Sequence, residues 1–155
     1  MSDGEETPDG FSFAGIAAGL KDSKKKDLAL ILAPENSICS GLFTQSIVRA
    51  SCVDICEQRI KKSSGLIRAI LINSGQANAC TGDFGIQHTL IATKEVSQLL
   101  GINEEEVLMC STGVIGIPIQ IKNLIDNLPN LVKELKTNSL QNAAEAILTT
   151  DLVDK

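Results

Sequence analysis

Tryptophan and tyrosine are absent from the 155 residues, and aromatic side chains make up only 3% of them. A core built on large rings is therefore excluded. So is the stacking platform on which single-stranded nucleic acid is held. A nucleic-acid binder usually needs a basic surface, so the net charge of −5 disfavours that class and nucleic acid is not an expected partner. No apolar run approaches the roughly 20 residues that span a bilayer, and no membrane segment is expected. Histidine occurs once, at His88, and no C-x-x-C pair occurs among Cys39, Cys52, Cys56, Cys80 and Cys110. A structural zinc site lacks its ligands, and neither a metal nor a cofactor is expected. The five thiols read as buried or half-buried side chains in a reducing cytosol. The opening stretch M-S-D-G-E-E-T-P-D-G is acidic and polar, unlike a signal or transit peptide.

What is present is aliphatic. Hydrophobic residues make up 43% of the chain, enough for a core of Leu, Ile, Val and Ala. Residues 1–10 read as a flexible tail, and 11–155 as a single domain. Strands are expected at Phe11–Leu20, Asp27–Ala33, Ser40–Gln45, Leu66–Ser74 and Val107–Cys110. Helical spacing is expected at Val48–Lys62, Gln87–Leu100 and Ser139–Leu148, with Ser139 as N-cap. Ile121–Leu135 carries an amphipathic stripe that Pro129 divides into two short helices. Gly101 and Asn103 stop the helix before them. The lysine run 24–26 reads as a solvated turn. Strands and helices interleave, which predicts a mixed α/β fold.

Two buried strands, 66–74 and 107–110, each run into small polar residues. Ligands gather beyond the carboxyl ends of strands in α/β sheets, so the two loops are expected to border one pocket. In S-T-G-V-I-G (Ser111 to Gly116) two readings stand side by side. One is an ordinary strand-to-helix turn with Thr112 as cap and Gly113 supplying an unusual backbone angle. The other is an oxyanion hole, in which the Thr112 hydroxyl and a peptide N–H near Gly113 stabilise a tetrahedral intermediate by about 3–4 kcal/mol. The loop N-S-G-Q-A-N-A-C-T-G (Asn73 to Gly82) reads as a self-satisfied Asx network. It lacks the glycine and lysine spacing of a phosphate cradle. Cys80 as a nucleophile would need His88 to reach back over a helix start, an awkward geometry. Thr149-Thr150-Asp151 either ends a helix or brings a hydroxyl to a ligand.

The stretches G-F-S-F-A-G-I-A-A-G-L, D-L-A-L-I, S-G-L-F-T, R-A-I-L-I-N-S-G-Q-A-N-A-C-T-G, V-L-M-C-S-T-G-V-I-G-I-P and A-A-E-A-I-L-T-T-D occur in that order. Together they resemble the bifunctional glutamate N-acetyltransferase, or ornithine acetyltransferase, family of arginine biosynthesis. The resemblance implies a layered sandwich with sheets inside and helices outside. It also implies a precursor that cuts itself into α and β chains, assembled as an α2β2 heterotetramer in the cytoplasm. The β chain's new N-terminal threonine takes acetyl from N-acetylornithine and passes it to glutamate. Some members accept acetyl-CoA as well. On this resemblance Thr112 and Gly113 match the oxyanion pair, and Thr149 matches a substrate-contacting threonine. The family's K-G-[SA]-G-M stretch and A-T cleavage pair do not occur, and L-V-D-K follows T-T-D where T-x-P-K is commoner. The expectation is most of an α chain, inactive without a β chain. A folded partner-binding fragment and an amidohydrolase with an N-terminal nucleophile remain the alternatives.

Overall fold

The computed structural model describes residues 7–149. Four strands form one sheet in chain order: β1 (Ser12–Ile16), β2 (Leu28–Leu32), β3 (Ala69–Gln76) and β4 (Val107–Val114). The first two pairings are antiparallel and the third is parallel. The helices are α1 (Ser51–Lys62), α2 (Gly82–Leu100), α3 (Ile121–Lys133) and α4 (Leu140–Ile147). A 3-10 turn at Glu104–Glu106 leads into β4.

Side-chain alternation along the strands sorts the core into layers. Ala14, Leu30, Leu71 and Met109 lie opposite one another in register. They pack with Ala92 and Val96 of α2 and Leu124, Leu128 and Leu131 of α3. The intervening residues face the other way. Phe13, Ala29, Ile31 and Ile72 pack with Ala143 and Ala146 of α4, and Leu108 and Ile70 pack with Cys56 and Ile60 of α1. The result is a mixed α/β sandwich with helices on both faces of a single sheet.

Several boundaries differ from the sequence expectation, each for a local reason. Ser40–Gln45 is not a strand; it has no strand beside it to pair with, and Leu42 is fully exposed. Pro129 does not divide α3. It removes one N–H from the ladder, but Leu124, Leu128 and Leu131 around it are completely buried, and one continuous helix runs from 121 to 133. Helix α2 begins at Gly82, five positions before the expected start, with Asp83 in its first turn, where the helix dipole favours a carboxylate. Gly101 ends it in the left-handed conformation, as expected. Ser139 occupies the N-cap position of α4 but makes no capping bond; its hydroxyl instead accepts from Asn142 Nδ2 at 3.4 Å. Cys52 and Cys56 are buried on one face of α1, whereas Cys80 and Cys110 are exposed. Lys24 and Lys25 are solvated, but Lys26 binds Asn142 Oδ1 and Glu145 Oε2, both at 2.6 Å.

That last contact helps seat α4 on β1, and the seat has no spare room. A Cβ on Gly15 would lie 1.9 Å from the Asn142 carbonyl oxygen. Gly15→Ala is expected to lever α4 off the sheet at a cost of about 2–3 kcal/mol. Urea denaturation measures it; an unchanged midpoint would show that α4 can slide without penalty.

Candidate functional site

The short strand β4 of the sequence reading is longer in the structure. Ser111, Thr112, Gly113 and Val114 do not form a turn after the strand; they continue it. They pair with Asn73, Ser74, Gly75 and Gln76; the first two lie in the expected strand, and Gly75 and Gln76 extend β3 beyond it. Burial divides β4 in two. Val107, Leu108 and Met109 are buried, Ser111 and Thr112 are half-buried, and Gly113 and Val114 are exposed. β4 therefore runs out of the core beside β3, whose end stays buried, and the carboxyl ends of the parallel pair form one wall of a cleft.

Two glycines make that wall close-fitting. Gly75 and Gly113 are register partners, with φ of 121° and 130°, a region that side-chain-bearing residues avoid. A Cβ on Gly113 would lie 2.4 Å from the Gly75 carbonyl carbon, and one on Gly75 would lie 2.8 Å from the Leu20 oxygen. Three backbones thus stack in contact: the 20–21 segment, β3 and β4. The cleft they enclose has a volume of about 630 Å³, and Gly75, Gln76, Thr112, Gly113 and Thr149 line it with Lys21. The expectation that the two small-residue segments border one pocket is met. Thr112, Gly113 and Thr149 share that pocket, whereas Thr150 and Asp151 lie outside the described residues.

The opposite wall is held by an internal carboxylate. Asp27 is completely buried at the head of β2. Its Oδ1 accepts from the Ala18 N–H at 2.6 Å, and its Oδ2 accepts from the N–H groups of Leu20 and Lys21 at 2.6 and 2.9 Å. The segment is thereby folded back toward β3, where the Leu20 carbonyl accepts from Gln76 Nε2 at 2.7 Å. Gln76 is 6% exposed, and its Oε1 is buried without a hydrogen-bond partner among the described residues. From this fixed turn the Lys21 ammonium donates to the Leu148 carbonyl at 2.8 Å. Burial pushes its pKa below the ordinary lysine value; the Asp27 carboxylate opposes that shift and Lys25 adds to it.

Asn73 Nδ2 donates to the Gln76 carbonyl, and Asn78 Nδ2 to the Gly85 carbonyl and Thr89 Oγ1. Thr81 Oγ1 bonds Asn78 Oδ1. The expected self-satisfied network over Asn73–Gly82 forms only in part: Asn78 reaches into α2, Ser74 and Gln76 bond outside the segment, and Asn73 Oδ1 has no partner among the described residues. His88 lies against the Phe84 ring, with centroids 6.1 Å apart, and burial lowers its pKa. Among the described residues no cluster of His, Cys, Asp and Glu is arranged to hold a metal ion. No helix among them is long and apolar enough to cross a membrane.

Gln76 and Lys21 escape a reading of the sequence alone. Gln76 is one polar residue among many in its segment. Lys21 stands beside a lysine-rich turn and is indistinguishable from it. The available signal is Asp27, directly before L-A-L-I-L: a charge abutting a core strand is rare unless it has partners, and its partners lie in the turn that carries Lys21.

An α/β sandwich whose two parallel strands deliver a Thr-Gly pair to a cleft belongs to the class of folds that work at strand ends. Residues 12–155 match the ArgJ family model, and the chain belongs to that family. It is 97% identical over its whole length to the arginine biosynthesis bifunctional protein ArgJ of Prochlorococcus marinus subsp. pastoris. It is 53% identical over its whole length to the protein of the same description in Parasynechococcus marenigrum. The chain spans only 39% and 38% of those two proteins. Among solved structures, it resembles an ornithine acetyltransferase from Mycobacterium tuberculosis complexed with ornithine, at 36% identity and a TM-score of 0.89. The alignment covers 94% of this chain and 79% of that one. A Bacillus halodurans ArgJ structure aligns at 31% identity with a TM-score of 0.87, covering 94% of this chain and 75% of the other.

Proposed function

We propose that this chain forms the oxyanion-stabilising part of an acetyltransferase that moves acetyl from N-acetylornithine to glutamate in arginine biosynthesis. The observation that carries the reading is the convergence of Thr112, Gly113 and Thr149 on one cleft in a member of the ArgJ family. A threonine hydroxyl from a β chain attacks the acetyl carbonyl. The carbonyl oxygen gains negative charge, and the Thr112 hydroxyl and the peptide N–H at Gly113 donate to it. The C–N bond breaks, ornithine leaves with the proton taken from the hydroxyl, and the acetyl group remains as a threonine ester. The glutamate amine then attacks that ester, and threonine departs reprotonated. Bonds and protons balance without a cofactor, and acetyl-CoA would enter the same scheme as an alternative donor.

Thr149 contacts the substrate in this reading, and residues 11–155 act as one domain after a tail at 1–10. The clusters on both sheet faces share strands β1, β2 and β3, which supports a single unit. The β-chain partner is supported by two features. The chain accounts for about twice as large a share of the solved ornithine acetyltransferase chain as of the curated relatives, as expected if the active protein consists of two chains. Val114, Ile115 and Ile117 beside the cleft are 54%, 66% and 49% exposed, an apolar rim suited to a further layer. An α2β2 assembly in the cytoplasm completes the proposal.

The test is reconstitution with the remaining segment of a full-length relative, assaying acetyl transfer from N-acetylornithine to glutamate. Thr112→Ala is expected to lower kcat about a hundredfold or more. An unchanged rate would remove Thr112 from the mechanism. Release of free acetate in place of acetylglutamate would replace the transferase reading with an amidohydrolase.

A further inference from the structure

Lys21 is built into the cleft wall more firmly than a surface lysine needs to be. Its own N–H is held by Asp27. The carbonyls of Ala18 and Gly19 in the same turn accept from Asn127 and Asn123 of α3 at 3.4 and 3.2 Å. Leu20 is held by Gln76, and Gly75 leaves room for nothing but the Lys21 methylenes and the Leu20 carbonyl against it. From this base the ammonium crosses to the Leu148 carbonyl, 127 positions away in sequence. Helix α4 ends at Ile147, and the Leu148 N–H closes it by donating to the Glu145 carbonyl at 3.3 Å; beyond that bond the chain leaves the helix in an extended conformation. Two neighbouring bonds act just before that point. Ser74 Oγ donates to the Ala146 carbonyl at 2.5 Å, and Lys26 binds Glu145. Lys21 adds a side-chain contact to the residue directly before Thr149.

We propose that Lys21 is a positioning residue that fastens the 148–149 segment to the cleft wall, so that Thr149 meets the substrate at one fixed place. A neutral side chain could fill the same space. An ammonium bonded to a peptide carbonyl makes a stronger, charge-assisted link, and Asp27 keeps a charge of opposite sign nearby. The link matters to turnover through binding. It orders a segment before the substrate arrives, so the substrate need not order it. This inference rests on the reading of Thr149 as a substrate contact, and it is separable from that reading.

The experiment compares Lys21→Met, Lys21→Gln and Lys21→Arg in a full-length protein that carries this chain and its β segment. Two quantities are read: steady-state kinetics with N-acetylornithine, and hydrogen exchange of the amides at 146–149. The expected result for Lys21→Met is a KM raised about tenfold with kcat within about threefold, the signature of lost binding common to ground and transition states. Exchange at 146–149 becomes faster, and Lys21→Arg restores much of both. Lys21→Gln, which keeps a donor and a similar volume, gives an intermediate result and carries the test if the methionine variant does not fold. Unchanged exchange at 146–149 would overturn the positioning role itself. Faster exchange with an unchanged KM would instead overturn the role of Thr149 in binding, and with it the use proposed here for the Lys21 link.

Discussion

Asp27→Ala is expected to cost about 4–5 kcal/mol, the largest stability loss of any single substitution considered for this chain. The carboxylate is completely buried and accepts from three backbone N–H groups. Hydrogen bonds to a charged group contribute about 1.5–3 kcal/mol each, and a buried donor left without its acceptor costs about 1–3 kcal/mol. Alanine leaves three such donors at once. Water entering the vacated space offsets part of the loss, which keeps the expected figure below the sum of the three bonds. Since whole domains are stable by about 5–15 kcal/mol, the loss takes from about a third to nearly all of the stability. Asp27→Asn retains one carbonyl oxygen and should lose about half as much. Urea denaturation of the pair distinguishes the accounts. A loss below about 1 kcal/mol for Asp27→Ala would mean that the 18–21 turn is held by something else, and the cleft wall would need another explanation.

Gly113→Ala is expected to combine a stability loss of about 4 kcal/mol with a fall of about a thousandfold or more in kcat/KM for acetyl transfer. The added methyl would meet backbone on its near side: the Gly75 carbonyl carbon at 2.4 Å, its oxygen at 2.5 Å and the Gln76 nitrogen at 2.8 Å. No side chain can rotate away to relieve those contacts, so the strand pair itself must part. Overpacking of this kind costs about 1–3 kcal/mol or more, and holding alanine at φ 130° adds about 1–3 kcal/mol. If Thr112 and Gly113 act as proposed, the catalytic loss exceeds that of Thr112→Ala, because the shift moves the hydroxyl and the peptide N–H together, away from where the oxyanion would form. Gly116→Ala is the control. Gly116 also has a positive φ, 82°, but nothing lies within 4 Å of its added Cβ, so it isolates backbone strain from collision. If Gly113→Ala and Gly116→Ala behaved alike, the close approach of the two strands would not be what makes Gly113 necessary.

The core strands are legible because their patterns are strong. L-A-L-I-L and A-I-L-I-N-S can bury both faces only inside a sheet covered on both sides, and they form β2 and β3. The helical stripes at 52–60 and 124–131 are legible for the same reason. Three departures share one cause: local signals are overruled by packing. Pro129 announces a break, yet three buried leucines hold α3 together. Ser40–Gln45 has strand-like composition but no partner edge. The S-T-G segment and Gly75-Gln76 read as turns because small polar residues usually make turns, whereas here each segment finds the other and extends the ladder to Val114. Pairing between segments so far apart in the chain leaves no mark on either one taken alone.

The sequence by itself determined the family, through six ordered motifs, and the aliphatic mixed α/β core, through periodicity that has few other solutions. It also singled out Thr112, Gly113 and Thr149. Only the tertiary structure decided that these three share a cleft, that an added Cβ would drive Gly113 into the Gly75 backbone and Gly75 into the Leu20 carbonyl, and that Asp27 and Lys21 frame the site. The physical reason is that contact distance and desolvation belong to pairs of segments. A buried carboxylate and a lysine reaching across 127 positions gain their roles from the walls that close around them.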